Sequence, residues 1–151
     1  MTITETYDFL WSPRNIDRRI RRLILLRDEL QSRLLPSAIR YDGDRVQVTP
    51  EDKLAAIAAK VLDLDRQIQR LREEKAAAVI AISEAIDQLT DEAEKVVLTA
   101  YYIGRVPIRE VAEMIHYSHR QTYRIMQAAV QHIAELKDGT NGTADRDIMV
   151  P

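Results

Sequence analysis

The feature that most constrains this chain is a run of 39 residues, 51–89, that contains neither glycine nor proline. Within it Leu54, Ile57, Val61, Leu64, Ile68 and Leu71 alternate steps of three and four. That spacing places all six on one stripe of an α-helix, and no strand with a period of two could do so. Lys75 interrupts the stripe, then Ala78, Ile82 and Leu89 resume it, with Ile86 one residue off. Thr49-Pro50-Glu51-Asp52 opens the run with a capping hydroxyl, a proline suited to a first turn, and acids favoured by the helix dipole. At roughly 1.5 Å per residue the rod is about 58 Å long. A helix this long and apolar on one side needs other helices to cover it, and the chain reads as all-α.

One cover lies just upstream. Ser12-Pro13 carries the chemistry of a helix start, and Ile16, Ile20, Leu23, Leu30 and Leu34 then recur at three and four before Leu35-Pro36 ends the pattern. The polar stretch that follows, with Asp42-Gly43 as its turn signal, allows the two helices to fold back as an antiparallel, coiled-coil-like hairpin. Charge supports the pairing: residues 13–34 carry seven arginines against three acids, whereas 51–89 sum to −2. The 22-residue first helix is too short to cover the second. The small, apolar stretch KAAAVIAISEAI (75–86) is left needing a partner, either the C-terminal domain or a second copy of the protein.

From Thr90 the character changes. A compact helix carries Val96, Val97, Leu98, Tyr101 and Tyr102 and stops at Gly104; Pro107 restarts a short helix over 108–115; Ser118 opens a last one to about Leu136. Three regions follow: a helical hairpin for interaction or dimerisation (1–89), a helix-turn-helix domain (90–137) and a disordered tail (138–151) rich in Gly, Asn, Asp and Thr.

The helix-turn-helix reading rests on the joint between the last two helices. Ala112 offers the small side chain that close packing demands. Val111, Ile115, Tyr117, Thr122 and Ile125 are spaced to point inward. His116 occupies the turn position where a positive φ is usual, and histidine tolerates that better than most residues. Ser118-His119-Arg120-Gln121 has the S-x-x-Q form of a capping box. Outward, the last helix offers Ser118, His119, Arg120, Gln121, Tyr123, Arg124, Gln127 and Gln131, and no acid occurs over 115–134. With 24 acids in 151 residues, about three would fall there by chance. Arginine can pair bidentately with guanine and glutamine with adenine, while serine and histidine suit phosphates or base edges. The expected partner is double-stranded DNA.

The rest of the chain narrows the alternatives. There are no cysteines, which excludes disulfides, thiolate zinc and a cysteine nucleophile. No phosphate-binding glycine loop, H-E-x-x-H or G-x-S-x-G motif is present. Of the three histidines, His116, His119 and His132, the pair at 116 and 119 could share a helix face only if the turn were helical, and no carboxylate is placed to orient them as metal ligands. The expectation is a protein that is not an enzyme, with no cofactor, no metal and no small-molecule substrate. The N-terminal MTITETYDFLW has no basic leader, and the longest apolar stretch, 76–82, is seven residues. A cytoplasmic chain without a membrane partner is therefore expected.

The run YYIGRVPIREVAEMIHYSHRQTYRIMQAAVQHIAEL resembles the fourth region of sigma factors, the part that reads the promoter −35 element. It resembles more closely the ArpU-like late transcriptional regulators of Gram-positive bacteria and their phages. The shared pattern is Tyr-Ile ending the scaffold helix, Glu-Val-Ala in the next, then Tyr-Ser, two polar or basic residues, and Tyr-Arg. The upstream half matches through Ile-Asp-x-x-Ile, Gly-Asp-Arg-Val-Gln (43–47) and Asp-Lys-Leu (52–54), so the resemblance covers about 10–137. It implies a phage or prophage transcriptional regulator whose DNA-facing set is Ser118, His119, Arg120, Tyr123 and Arg124. Pro107 departs from the family's capping Ser or Thr, and Thr122 from its usual Val. The reading leaves open a homodimer through residues 75–86, a contact with RNA polymerase, and, as the alternative, a phage DNA-packaging protein or a helical assembly module.

Overall fold

The structure, a computed structural model, describes residues 1–35 and 50–149. Among them it is all-helical: α1 (Ile3–Ser32), α2 (Pro50–Asp87), α3 (Glu92–Leu98) widening into a π-helical turn (Thr99–Ile103), α4 (Ile108–Ile115) and α5 (His119–Met149). The Thr49 cap, the Asp42-Gly43 turn and the 43–47 motif lie outside the described residues. No described helix is long and apolar enough to cross a membrane.

The chain divides into two compact units, and the division is not at residue 89. One unit is Arg14–Ala76; the other joins Met1–Pro13 to Ala77–Pro151. Both boundaries fall inside helices, because α1 and α2 each bury their two ends among different neighbours.

α1 corrects the expected start at Ser12-Pro13. It begins ten residues earlier, on a capping box at Thr2 and Glu5. The Glu5 N–H donates to Thr2 Oγ1 (3.1 Å) and the Thr2 N–H to Glu5 Oε2 (2.8 Å). Pro13 lies inside the helix, where it cannot supply the N–H that the Phe9 carbonyl would otherwise receive. The Ser12 hydroxyl donates to that carbonyl instead, at 2.7 Å.

In the Arg14–Ala76 unit the predicted stripes are the buried ones. Ile16, Ile20 and Leu23 of α1 and Leu64, Ile68 and Leu71 of α2 are each at most 7% exposed, while Leu30, Leu34, Leu54 and Ile57 are half-buried. Each fully buried side chain contributes about 2 kcal/mol. Asp17 meets Lys75 at 3.0 Å and Arg27 meets Asp65 at 3.1 Å. Lys75, which breaks the apolar stripe, is the residue that reaches Asp17.

In the other unit, the C-terminal end of α2 is covered by the chain itself. Ile82, Ala85, Ile86 and Leu89 join Leu10 of α1, Val97 and Leu98 of α3, and Met126, Ala129, Val130 and Ile133 of α5 in one core. Of the two covers expected for residues 75–86, the C-terminal helices supply one for Ile82, Ala85 and Ile86, while Ile80 stays 59% exposed. Trp11 stands edge-on to Tyr101 (6.2 Å between centroids) and Tyr102 (5.8 Å). The helix ends at Ile103 with Gly104 as its C-cap, as expected, but Gly104 does not take the left-handed conformation. Gly104 has φ −78°, and Arg105 takes the left-handed position at φ 56°. The Gly104 N–H bonds the Thr99 carbonyl (2.9 Å), and a Cβ there would stand 3.0 Å from the Ala100 carbonyl oxygen. A side chain at Gly104 would crowd the Ala100 carbonyl, so what favours glycine here is close approach rather than φ.

α5 runs through to Met149, where a disordered tail was expected from residue 138. No proline intervenes before Pro151, and Gly139 and Gly142 cost only about 1 kcal/mol each in a helix. Lys137 Nζ sits 3.8 Å over the Phe9 ring, and Asp138 pairs with the Met1 ammonium.

Candidate nucleic-acid interface

The joint between α4 and α5 is three residues, His116, Tyr117 and Ser118, and each has a distinct task. His116 adopts φ 60°, ψ 35°, the left-handed conformation that its place in the turn predicts. This reverses the chain so that the Tyr117 N–H reaches the Ala112 carbonyl (3.1 Å) and the His116 N–H reaches that of Glu113 (3.3 Å), closing the end of α4. Ser118 starts α5: its Oγ accepts from the Gln121 N–H at 3.1 Å. Pro107 precedes α4 without any side-chain cap.

Thr122 is fully buried, and its hydroxyl donates to the Ser118 carbonyl at 2.8 Å. The polar atom is therefore satisfied locally. Val111 and Ala112 are buried, and Ile115 and Ile125 half-buried, as expected. Tyr117 differs: it is 48% exposed. The left-handed step at His116 breaks the helical spacing from which an inward position was inferred, and the ring is left exposed.

Along α5, Thr122, Met126, Ala129 and Ile133 form the buried stripe. Arg120, Arg124, Gln127 and Gln131 repeat the same four-three-four spacing two residues out of step, which at about 100° per residue puts them on the opposite side. All four are exposed. His119 and Tyr123 flank this stripe with their rings edge-to-face at 5.1 Å, and Tyr123 is 44% exposed. Thus Ser118, His119, Arg120, Gln121, Tyr123, Arg124 and Gln127 are all exposed on the first turns of one helix. The Arg120 and Arg124 guanidiniums have no ion-pair partner among the described residues, so their donors are available to an outside acceptor.

His132, left aside in sequence, lies farther along α5 and is held by Glu94 of α3, with Nδ1 2.8 Å from Oε1. The carboxylate raises the imidazole pKa by hydrogen bonding. No sequence spacing marks this pair, because 38 residues separate its members. Among the described residues no three His, Asp or Glu side chains gather where they could hold a metal ion.

Comparison with known protein families, with curated protein sequences and with solved structures finds no match.

Proposed function

We propose that this chain is a sequence-reading, DNA-binding transcriptional regulator of phage or prophage type, with α4, the 116–118 turn and α5 acting as a helix-turn-helix. In this reading Arg120, Arg124 and Gln127 read base edges in the major groove. Ser118 and His119 hold phosphates at the helix N-terminus, where free N–H groups and the dipole favour anions. Tyr123 supports His119. The observation that carries the reading is the exposed, acid-free stripe of α5 opposite a buried one, started by a capping serine after a left-handed turn residue. The resemblance to sigma region 4 and to the ArpU-like regulators points the same way. The Arg14–Ala76 helices then serve as an antiparallel hairpin for a partner, either RNA polymerase or a second copy.

One such helix neutralises about two to four phosphates and binds weakly alone at physiological salt. A second half-site, or attachment to polymerase, would multiply the effective affinity.

The test is selection of bound duplexes from a random pool, followed by titration of the selected site. Arg120→Ala and Arg124→Ala should each weaken binding by roughly tenfold or more, the worth of a lost bidentate base contact. Both should leave thermal stability within about 0.5 kcal/mol, since both side chains are exposed. Emergence of no preferred sequence, or parent-like binding by both variants, refutes the reading.

A further inference from the structure

α1 carries four arginines in five residues, Arg18, Arg19, Arg21 and Arg22, around the buried Ile20. The charges of the two helices suggest segments that attract each other, and ion pairs do join them, but not through these four arginines. The ion pairs seen between α1 and α2 use Arg27 with Asp65 and, in reversed polarity, Asp17 with Lys75. All four clustered arginines are exposed, and none has an ion-pair partner among the described residues. Four like charges held within about one helical turn repel one another.

α2 adds to the charge. Arg19 and Arg22 line a groove of about 390 Å³ together with Gln67 and Arg70 of α2. Its floor is the edge of the buried Leu23 and Leu71, and Glu74 is the one carboxylate lining it, against three guanidiniums. Arg70, like the others, is exposed and unpaired among the described residues. The groove offers fork-shaped donors in excess and no exposed apolar anchor. That suits a regularly charged polyanion, whose phosphates accept bidentate guanidinium bonds, better than a folded protein surface, which needs an apolar centre.

We propose that the Arg18–Arg22 cluster, with Arg70, is a second nucleic-acid surface, binding the phosphodiester backbone of duplex DNA without reading its sequence. It is carried by the Arg14–Ala76 unit and does not depend on the assignment of α5.

The test uses the full chain and a mixed-sequence duplex of about 30 base pairs, with affinity measured by fluorescence anisotropy from about 50 to 200 mM salt. Each phosphate contact contributes about 0.9 to the slope of log K against log salt. Replacing Arg18, Arg19, Arg21 and Arg22 with Gln should flatten that slope by about two to four and weaken binding at least tenfold at 100 mM salt. The milder Arg19→Gln/Arg22→Gln pair should give about half the change in slope, and Arg19→Lys/Arg22→Lys should retain most of it. Circular dichroism melting identifies any variant that fails to fold, and the double variants then decide. A slope unchanged in the glutamine variants, or no binding by the parent at 50 mM salt, overturns the proposal. So does an arginine-dependent affinity for polyglutamate without one for DNA, which would mark an acidic protein as the occupant. Failure of the α5 reading looks different: Arg120→Ala and Arg124→Ala would then bind every duplex as the parent does, while the α1 variants still lose slope.

Discussion

His132 Nδ1 lies 2.8 Å from Glu94 Oε1, and the two side chains differ sharply in surroundings: the imidazole is half exposed, the carboxylate 6% exposed. Hydrogen bonding to Glu94 is the main influence holding the His132 pKa above its usual 6.5, with burial opposing it and the charges of Glu94, Glu135 and Asp91 adding to it. A group whose pKa is higher folded than unfolded stabilises the fold fully below the unfolded value, and that gain is lost as pH rises through the folded value. Stability should therefore be greater at pH 6 than at pH 8. His132→Ala should remove this dependence and cost about 1 kcal/mol at pH 6, since it strands a buried carboxylate. Urea titrations of parent and variant at the two pH values check both statements.

The serine that replaces a missing helix donor gives a second prediction. Ser12 Oγ stands 2.7 Å from the Phe9 carbonyl, the oxygen that Pro13 cannot serve. Ser12→Ala should cost about 1–2 kcal/mol by leaving that carbonyl unpaired. In a Pro13→Ala background a backbone N–H returns at position 13, so the same Ser12→Ala change should cost less than half as much. The double-mutant cycle reads the difference directly, and additive effects would show that Ser12 does not compensate for the proline.

Among the described residues, two non-glycine residues sit at positive φ, Arg105 at 56° and His116 at 60°. Glycine there relieves backbone strain but enlarges the unfolded ensemble, so His116→Gly should lie between neutral and about 1 kcal/mol stabilising. His116→Val should lose about 1–2 kcal/mol, because a β-branched side chain fits this conformation worst. Thermal melts of the two variants should move apart; a shift in the same direction would contradict the backbone assignment.

These positions also show which parts of the fold are legible in the residues. His116 and Ser118 are readable because turn and cap requirements act over three or four residues, and so are the stripes through Ile16 and Leu64, where one period governs the whole helix. Where a signal competes with a stronger remote one, the sequence misleads. Ser12-Pro13 has the form of a helix start, yet Thr2 and Glu5 cap the chain earlier and core burial of Leu10 carries the helix through the proline. Gly104 marks the end of its helix, but the π-helical turn before it moves the left-handed step to Arg105, and no residue pattern announces that widening. The exposed stripe of α5 was legible from its lack of acids, whereas the outward Tyr117 was not, because a left-handed step resets the helical count.

Thr122 yields the last prediction. Its side chain is fully buried, but the Ser118 carbonyl that its hydroxyl serves also receives the Thr122 backbone N–H at 2.9 Å. Removing the hydroxyl therefore strands no partner. Thr122→Val, which keeps the shape and replaces a polar atom with a methyl, should be neutral or stabilise by up to about 1 kcal/mol. Thr122→Ala removes the packing methyl as well and should cost about 1–2 kcal/mol. Because the site lies under the first turn of α5, Thr122→Ala should also weaken duplex binding by loosening the position of Arg120 and Arg124, whereas Thr122→Val should bind as the parent does. Chemical denaturation and anisotropy on the same samples separate the two effects; loss of binding in Thr122→Val without loss of stability would mean that the hydroxyl itself positions the helix.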